Sequence, residues 1–356
     1  MTDARFYHIA NNGTLTPLDS LESAVEVMKT GGYIWLDYYQ PIKEDLTLLV
    51  EPLGLHPLSI EDSIDENQIP KIDDYPSNTF ILFNAFHYSQ GILYVSEVDA
   101  FLGRNFLVTV SSHNSHNLSL LGNIQRNISN EIESVRHGPA FLLHIILDQV
   151  VDEKFLAIEA LEERLNEGEE TILSDLERFD PSELMHLRRD LQAVRKSLFH
   201  EREILVKICR KDSPFIPDKA IYFYRDIYDH LSKFFELTES YRDLVTSLME
   251  MYLSMLNNQM TKAANDTNII VRRLTFITTI FMPLTLLAGI GGMSEWSMMT
   301  GPQNWRIAYP AFLLGMVVLG VLNYFFFKRL EKSQEKKSLK NVTRRFGDKQ
   351  DIVQAG

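Results

Sequence analysis

Two long runs without a charged side chain lie near the end of this chain, and they limit its fold more than any other feature. The first is Leu274 to Ser294 (LTFITTIFMPLTLLAGIGGMS) and the second is Ile307 to Phe327 (IAYPAFLLGMVVLGVLNYFFF). Each is about twenty residues, long enough to cross a bilayer core as a helix. Core helices of a soluble protein rarely need two such segments in succession, so both are expected to span a membrane. Arg272 and Arg273 precede the first run; Lys328, Arg329, Lys332, Lys336 and Lys337 follow the second. Cations gather on the inner side, so both flanks are expected to face the cytoplasm, with residues 295–306 as a short external loop. The expectation is a multi-pass protein of the cytoplasmic (inner) membrane with both termini cytoplasmic. The basic tail, 328–356, then lies near anionic lipid.

Most of the chain is not membrane. Its mean hydropathy of −0.11 is too polar for that, and about 270 residues upstream of the spans suffice for a sizeable soluble core. The stretch MTDARFYHIANNGTL has no apolar h-region, which predicts a bulk that stays in the cytoplasm. A net charge of −13 argues against nucleic acid as a partner. One cysteine, Cys209, leaves no disulfide framework and no Cys-based zinc cluster, and a reducing compartment is the simpler assumption.

Residues 1–137 read as an α/β domain. Short β-rich runs at 33–39, 78–88, 92–103 and 105–112 are separated by turn residues, with Ser89-Gln90-Gly91 as a hairpin tip. Ser59 is placed to cap a short helix in SIEDSIDE, where Asp62, Asp65 and Glu66 read as a solvated helix face rather than a cation site. Residues 138–217 read as a helical hairpin. Its first helix, 141–173, is acidic and its second, Pro181 to Cys209, is basic, so antiparallel pairing through complementary charge is expected. After Pro217 no proline appears until Pro283. Asp218 to Met293 therefore predicts one helix of about 75 residues, on the order of 110 Å. It joins a stalk (218–273) to the first span (274–294), with Leu237, Leu244, Leu248, Met251, Met255 and Met260 as its packing stripe. One copy does not bury that stripe and also satisfy the polar residues inside its span, so self-association is expected.

Those polar residues are patterned. Asn268, Leu274, Thr278, Met282, Thr285 and Gly289 recur at steps of three, four and six and fall broadly on one helical face. Threonine is tolerated in lipid when its hydroxyl bonds to the preceding turn. Small residues at regular depth also suit a narrow lumen shared by several copies, and Pro283 releases a backbone carbonyl, tolerable beside water or in a packed bundle.

The run LTFITTIFMPLTLLAGIGGM, followed by WRIAYP and a second span ending in FKR, resembles the C-terminal end of the CorA-type divalent-cation channels. LGLHPLSIEDSIDENQIPKIDDY (53–75), VDAFLGRNFLVTV (98–110), LLHIILDQVVDEKF (142–155) and YFYRDIYDHL (222–231) resemble further family segments in the family's order. The resemblance implies a homopentameric funnel with no prosthetic group: an α/β domain, long stalk helices, first spans lining the pore and second spans outside them. It places Asn268, Leu274, Met282, Thr285 and Gly289 on the pore, with Leu274 and Met282 as hydrophobic constrictions. It makes Gly292, Met293 and Ser294 the selectivity filter and Glu295 the carboxylate of the outer mouth. It also implies regulation by a divalent ion at Asp226, with Asp229 one turn further on.

The family signature is Gly-Met-Asn, and this chain has Ser294 in place of the Asn. Magnesium dehydrates reluctantly, so its filter should offer neutral oxygens to its water shell. A serine hydroxyl is shorter than an asparagine amide and makes a wider ring. The expected function is channel-like transport of a divalent cation, magnesium first, with cobalt, nickel and zinc as alternatives. The competing reading is a non-conducting membrane sensor or scaffold that kept the fold and lost the filter. No nucleophile elbow, phosphate-binding glycine loop or HExxH pair appears, which argues against an enzyme. His113 and His116 mark a loop rather than a metal site.

Overall fold

The computed structural model describes residues 3–65, 68–111, 132–292, 301, 304, 306–326 and 328–329. They divide into two compact units, residues 1–255 and 256–356.

The first unit is built on a seven-stranded sheet. Its strands are β1 (Asp3–Ile9), β2 (Leu15–Leu18), β3 (Tyr33–Tyr39), β4 (Lys71–Asp74), β5 (Asn78–Ser89), β6 (Ile92–Gly103) and β7 (Phe106–Ser111), in the spatial order β2-β1-β3-β7-β6-β5-β4. Strand β3 runs parallel to β7, and the other neighbours pair antiparallel. Strands β3, β5, β6 and β7 fall on the four β-rich runs of the sequence. Gln90 (φ 52°) and Gly91 (φ 80°) both adopt the left-handed region, which lets a two-residue turn match the twist of β5 and β6.

Both faces of the sheet are covered. On one, Ile34, Leu36, Phe80, Leu82, Phe101 and Val108 pack against Leu46, Leu49, Leu53 and Ile60. Leu46, Leu53 and Ile60 come from α2 (Lys43–Thr47), α3 (Val50–Leu53) and α4 (Pro57–Ile64), which follow α1 (Leu21–Val27), and Leu49 is the residue that leads into α3. Ser59 does not cap α4. That role falls to His56, whose Nδ1 accepts from Leu58 N at 3.2 Å ahead of Pro57 at the first helical position. Ser59 is buried and donates to the His56 carbonyl at 2.8 Å.

The other face is covered by α6 (Pro139–Ser174), which follows α5 (Ile132–Val135) and turns back into α7 (Pro181–Cys209). Asp180 caps α7 by accepting from Ser182 N at 2.9 Å. The charge pairing of this hairpin reverses the expectation from its totals. The acidic helix supplies the cations: Lys154 pairs with Glu201 of α7, and Arg164 Nη2 lies 3.4 Å from Glu183. Most carboxylates of α6, among them Asp152, Glu159, Glu162, Glu163, Glu167 and Glu170, are exposed, so totals do not report which side chains meet. Lys154 and Glu201 are fully buried. Glu201 also accepts from Asn84 N of β5 at 2.9 Å and from Ser197 Oγ at 3.2 Å, while the Lys154 ammonium lies over Phe83 and Phe86 at 5.1 and 5.3 Å. One ion pair thus ties sheet, α6 and α7 together.

The long helix α8 spans Ile221–Gly291, 71 residues, and passes through Pro283 without ending. Its buried stripe in the first unit is Ile221, Tyr224, Ile227, Leu231, Phe234, Thr238, Val245 and Leu248. Of the stripe expected from sequence only Leu248 belongs to it, and Met260 is 64% exposed. The aromatic and β-branched residues of the first turns pack on the hairpin instead: Phe155 stacks on Phe234 at 5.6 Å, and Tyr224 Oη donates to the Ala140 carbonyl at 2.7 Å.

The second unit contains the end of α8 and α9 (Arg306–Phe326). Their most apolar windows have a mean hydropathy of 1.8 and no residue buried in the single chain. Two apolar helices without a buried residue suit lipid or further copies, not water. They run antiparallel. A Cβ added at Gly291 would come 2.9 Å from the Phe312 ring, and one at Gly320 would sit 3.6 Å from Leu284 Cδ1.

Candidate functional site: one face of the first apolar helix

At about 100° per residue, Asn268, Leu274, Thr278, Met282, Thr285 and Gly289 share an arc of about 120°. All six are exposed in the single chain. The stripe Phe276, Ile280, Leu284, Leu287 and Gly291 lies opposite and is half-buried, with Leu284 and Gly291 at the contacts with α9. The helix therefore has one side committed to its neighbour and one side open. Thr278, Met282, Thr285 and Gly289 share one open surface of the helix with Ile277, Phe281, Leu286 and Ile290. Asn268 and Leu274 share the face but lie on the N-terminal side of that surface.

The two glycines near the end of α8 differ in what they serve. Gly291 lies against its neighbour, because a side chain there would meet the Phe312 ring and force it to shift. A Cβ at Gly289 would meet nothing within 4 Å. Packing within one chain thus does not explain Gly289.

The hydroxyls on the open face are oriented. Thr278 Oγ1 donates to the Leu274 carbonyl at 2.9 Å, and Thr285 Oγ1 to the Phe281 carbonyl at 2.8 Å. A hydroxyl has one proton and two lone pairs, so each oxygen, its proton already committed, presents acceptor capacity outward. Water bound to a cation turns its own protons outward. Acceptors that do not compete as donors suit that shell. Pro283 has no N–H, and the Thr279 carbonyl loses its usual partner one turn back. Gly292 closes the helix, its N–H bonded to the Ala288 carbonyl at 3.0 Å. Met293, Ser294 and Glu295 lie outside the described residues, as do Glu66, His113 and His116.

Asp226 and Asp229 sit on the first turns of α8 and have different neighbours. Asp226 Oδ2 lies 3.8 Å from His230 Nε2, and its charge acts on His144 and Asp148 of α6. Asp229 instead neighbours Cys209 of α7, whose thiol burial pushes up, Arg225 pulls down and Asp229 raises. Burial holds His144 neutral, its pKa lowered to about 4 against the pull of Asp226. Burial raises the carboxyl of Asp148, which His230 lowers and Asp226 raises further; Asp152 is raised by burial and then by Asp148. Asp148 and Asp152 were not singled out in the sequence. Their spacing of four in an otherwise apolar run was the available signal. Among the described residues no three His, Cys, Asp or Glu side chains are arranged to hold a metal ion. Asp62 and Asp65 are engaged locally: Asp62 pairs with Lys71 at 2.7 Å, and Asp65 accepts from Gln68 Nε2 at 3.2 Å.

Comparison with known proteins gives this arrangement a context. The family model described as "CorA-like Mg2+ transporter protein" matches residues 30–329. YfjQ of Bacillus subtilis, a candidate metal ion transporter by name, is 32% identical over 299 residues, covering 83% of this chain and 89% of that one. The cobalt/magnesium transport protein CorA of Thermotoga maritima is 29% identical over 314 residues, 87% and 86% of the two chains. The solved structure of the CorA magnesium transporter from Methanocaldococcus jannaschii superposes with a TM-score of 0.67 at 25% identity, over 92% of this chain and 97% of that one. The α/β unit, the long helix and the two C-terminal apolar helices are the architecture of that fold. With the family model matched across both units, the chain belongs to the CorA-like Mg2+ transporter family.

Proposed function

We propose that this protein conducts a divalent cation, magnesium first and cobalt, nickel or zinc as alternatives, through a pore made by the open face of α8 in a homopentamer. The observation that carries this is the pair of threonine hydroxyls on that face, each with its proton bonded back to the helix. Five copies form rings of neutral acceptors suited to a cation that keeps its water. Leu274 and Met282 form apolar constrictions that dewet when narrow. Gly289 leaves room for the ion and offers backbone oxygen, and Gly292, Met293 and Ser294 follow as the filter, with Glu295 attracting cations at the mouth. The protein lies in the inner membrane with Arg272, Arg273, Lys328 and Arg329 on the cytoplasmic side.

Asp226 contributes to a regulatory divalent site shared with a second copy, since one chain holds no complete ligand set among its described residues. Loss of divalent-dependent subunit cross-linking in Asp226→Ala supports this, and unchanged cross-linking removes it.

The test of transport is flux into liposomes that carry the purified protein and a magnesium-sensitive dye, with the medium on the protein's cytoplasmic side metal-free. Saturable entry of magnesium is expected, and a panel of cations ranks the alternatives. No entry of any cation would leave the non-conducting scaffold, and Ser294→Asn in parallel then shows whether the serine is the cause.

A further inference from the structure

At the inner end of the two spans the structure forms a cleft of about 420 Å³ lined by Arg272, Arg273, Phe276, Ile277, Tyr324 and Lys328. We infer that this cleft is a binding site for the headgroup of an anionic phospholipid. Its level follows from the antiparallel pairing. Leu284 meets Gly320, so eight residues further along each helix Lys328 comes opposite Phe276, one turn from Arg272 and Arg273. Three cations from two helices thus converge where each apolar run ends.

The lining holds three cations and no carboxylate. The Lys328 ammonium lies over the Tyr324 ring at 5.6 Å, which places that charge at the cleft instead of leaving it to sweep solvent. The lining also has an apolar part, Phe276 and Ile277, the latter 55% exposed. A free phosphate uses the cations and gains nothing from the apolar lining. A phospholipid uses both, with its phosphodiester against the guanidinium and ammonium groups and its first methylenes on Phe276 and Ile277. Tyr324 has the amphipathic ring favoured at the membrane interface. Basic pockets between membrane helices on the cytoplasmic side are the general setting for such headgroups. That the occupied leaflet is the cytoplasmic one rests on the orientation proposed above.

The test is native mass spectrometry of the full-length protein in detergent, titrated with phosphatidylglycerol, with phosphatidylcholine, and with phosphatidylglycerol plus inorganic phosphate as competitor. Phosphatidylglycerol is expected to bind several-fold more tightly than phosphatidylcholine, and inorganic phosphate at matched concentration to leave it bound. One interfacial cation contributes about 1 kcal/mol, so Lys328→Gln should weaken phosphatidylglycerol about fivefold. Lys328→Arg should retain it. Arg273→Lys is a second charge-preserving variant, in case a neutral substitution disturbs folding. Equal binding of the two lipids, an unchanged Lys328→Gln variant, or full displacement by phosphate would overturn the inference. The assay has no gradient and reads no flux, so its failure leaves the transport proposal standing, and the reverse holds.

Discussion

Gly289 and Gly291 are two residues apart and do opposite things, which makes them the sharpest pair of positions for separating folding from transport. Gly291 sits under Phe312, and Gly291→Ala forces a ring to move. Overpacking of this kind costs about 1–3 kcal/mol, so Gly291→Ala should lower the thermal midpoint of the detergent-solubilised protein. Gly289 faces open space, and Gly289→Ala should leave that midpoint within the range of a neutral surface change, about 0.5 kcal/mol, while slowing flux by narrowing the lumen. A pH signature is expected at Glu153 of α6, whose carboxyl burial raises to about 7. The unfolded value is 4.5, so the folded state holds the extra proton between about 4.5 and 7, and stability falls as pH rises through that window. Glu153→Gln removes the cost of the buried charge. It should raise the melting temperature at pH 8 and leave it unchanged at pH 4.5.

Among the elements, the α6–α7 hairpin is held to the sheet by Lys154 and Glu201. Removing one partner of a buried pair strands the other charge at about 3–5 kcal/mol, whereas replacing both with apolar residues of similar volume is close to neutral. Lys154→Met is therefore expected to be strongly destabilising in chemical denaturation, and Lys154→Met with Glu201→Gln, which removes the charge and keeps an acceptor for Asn84 N, to recover most of the loss. A double variant as unstable as the single one would show that the pair does more than neutralise itself. This pair also marks where the sequence was hard to read. Total charge put the cations on α7, but the contact uses the minority charge of each helix, and only a three-dimensional face reveals that. The β1–β2 hairpin was missed although Tyr7 and Ile9 alternate ahead of Asn11-Asn12-Gly13, because β2 is only four residues long and β1 carries Asp3, Arg5 and His8 among its seven. The open face of α8 was legible, since period and composition coincide over Thr278, Met282, Thr285 and Gly289. The acidic group around Asp226 was only partly legible, because Asp148 comes from another helix about eighty positions away.

For the whole molecule, a single chain leaves the most apolar windows of both helices without a buried residue, and the homopentamer proposed above would cover part of them, with lipid on the rest. A detergent-corrected mass near five times the 41.1 kDa chain is expected; a monomer at working concentration would contradict a shared pore. The central claim is that hydrated cations pass along rings of threonine oxygen. It is tested most directly by magnesium flux through liposomes bearing native protein, Thr285→Ser or Thr285→Val. A lost neutral hydrogen bond costs about 0.5–1.5 kcal/mol and the ring loses one per subunit, so the valine variant should conduct at least about tenfold more slowly, while serine, which keeps the hydroxyl, stays near native. Valine conducting as fast as threonine would contradict the account.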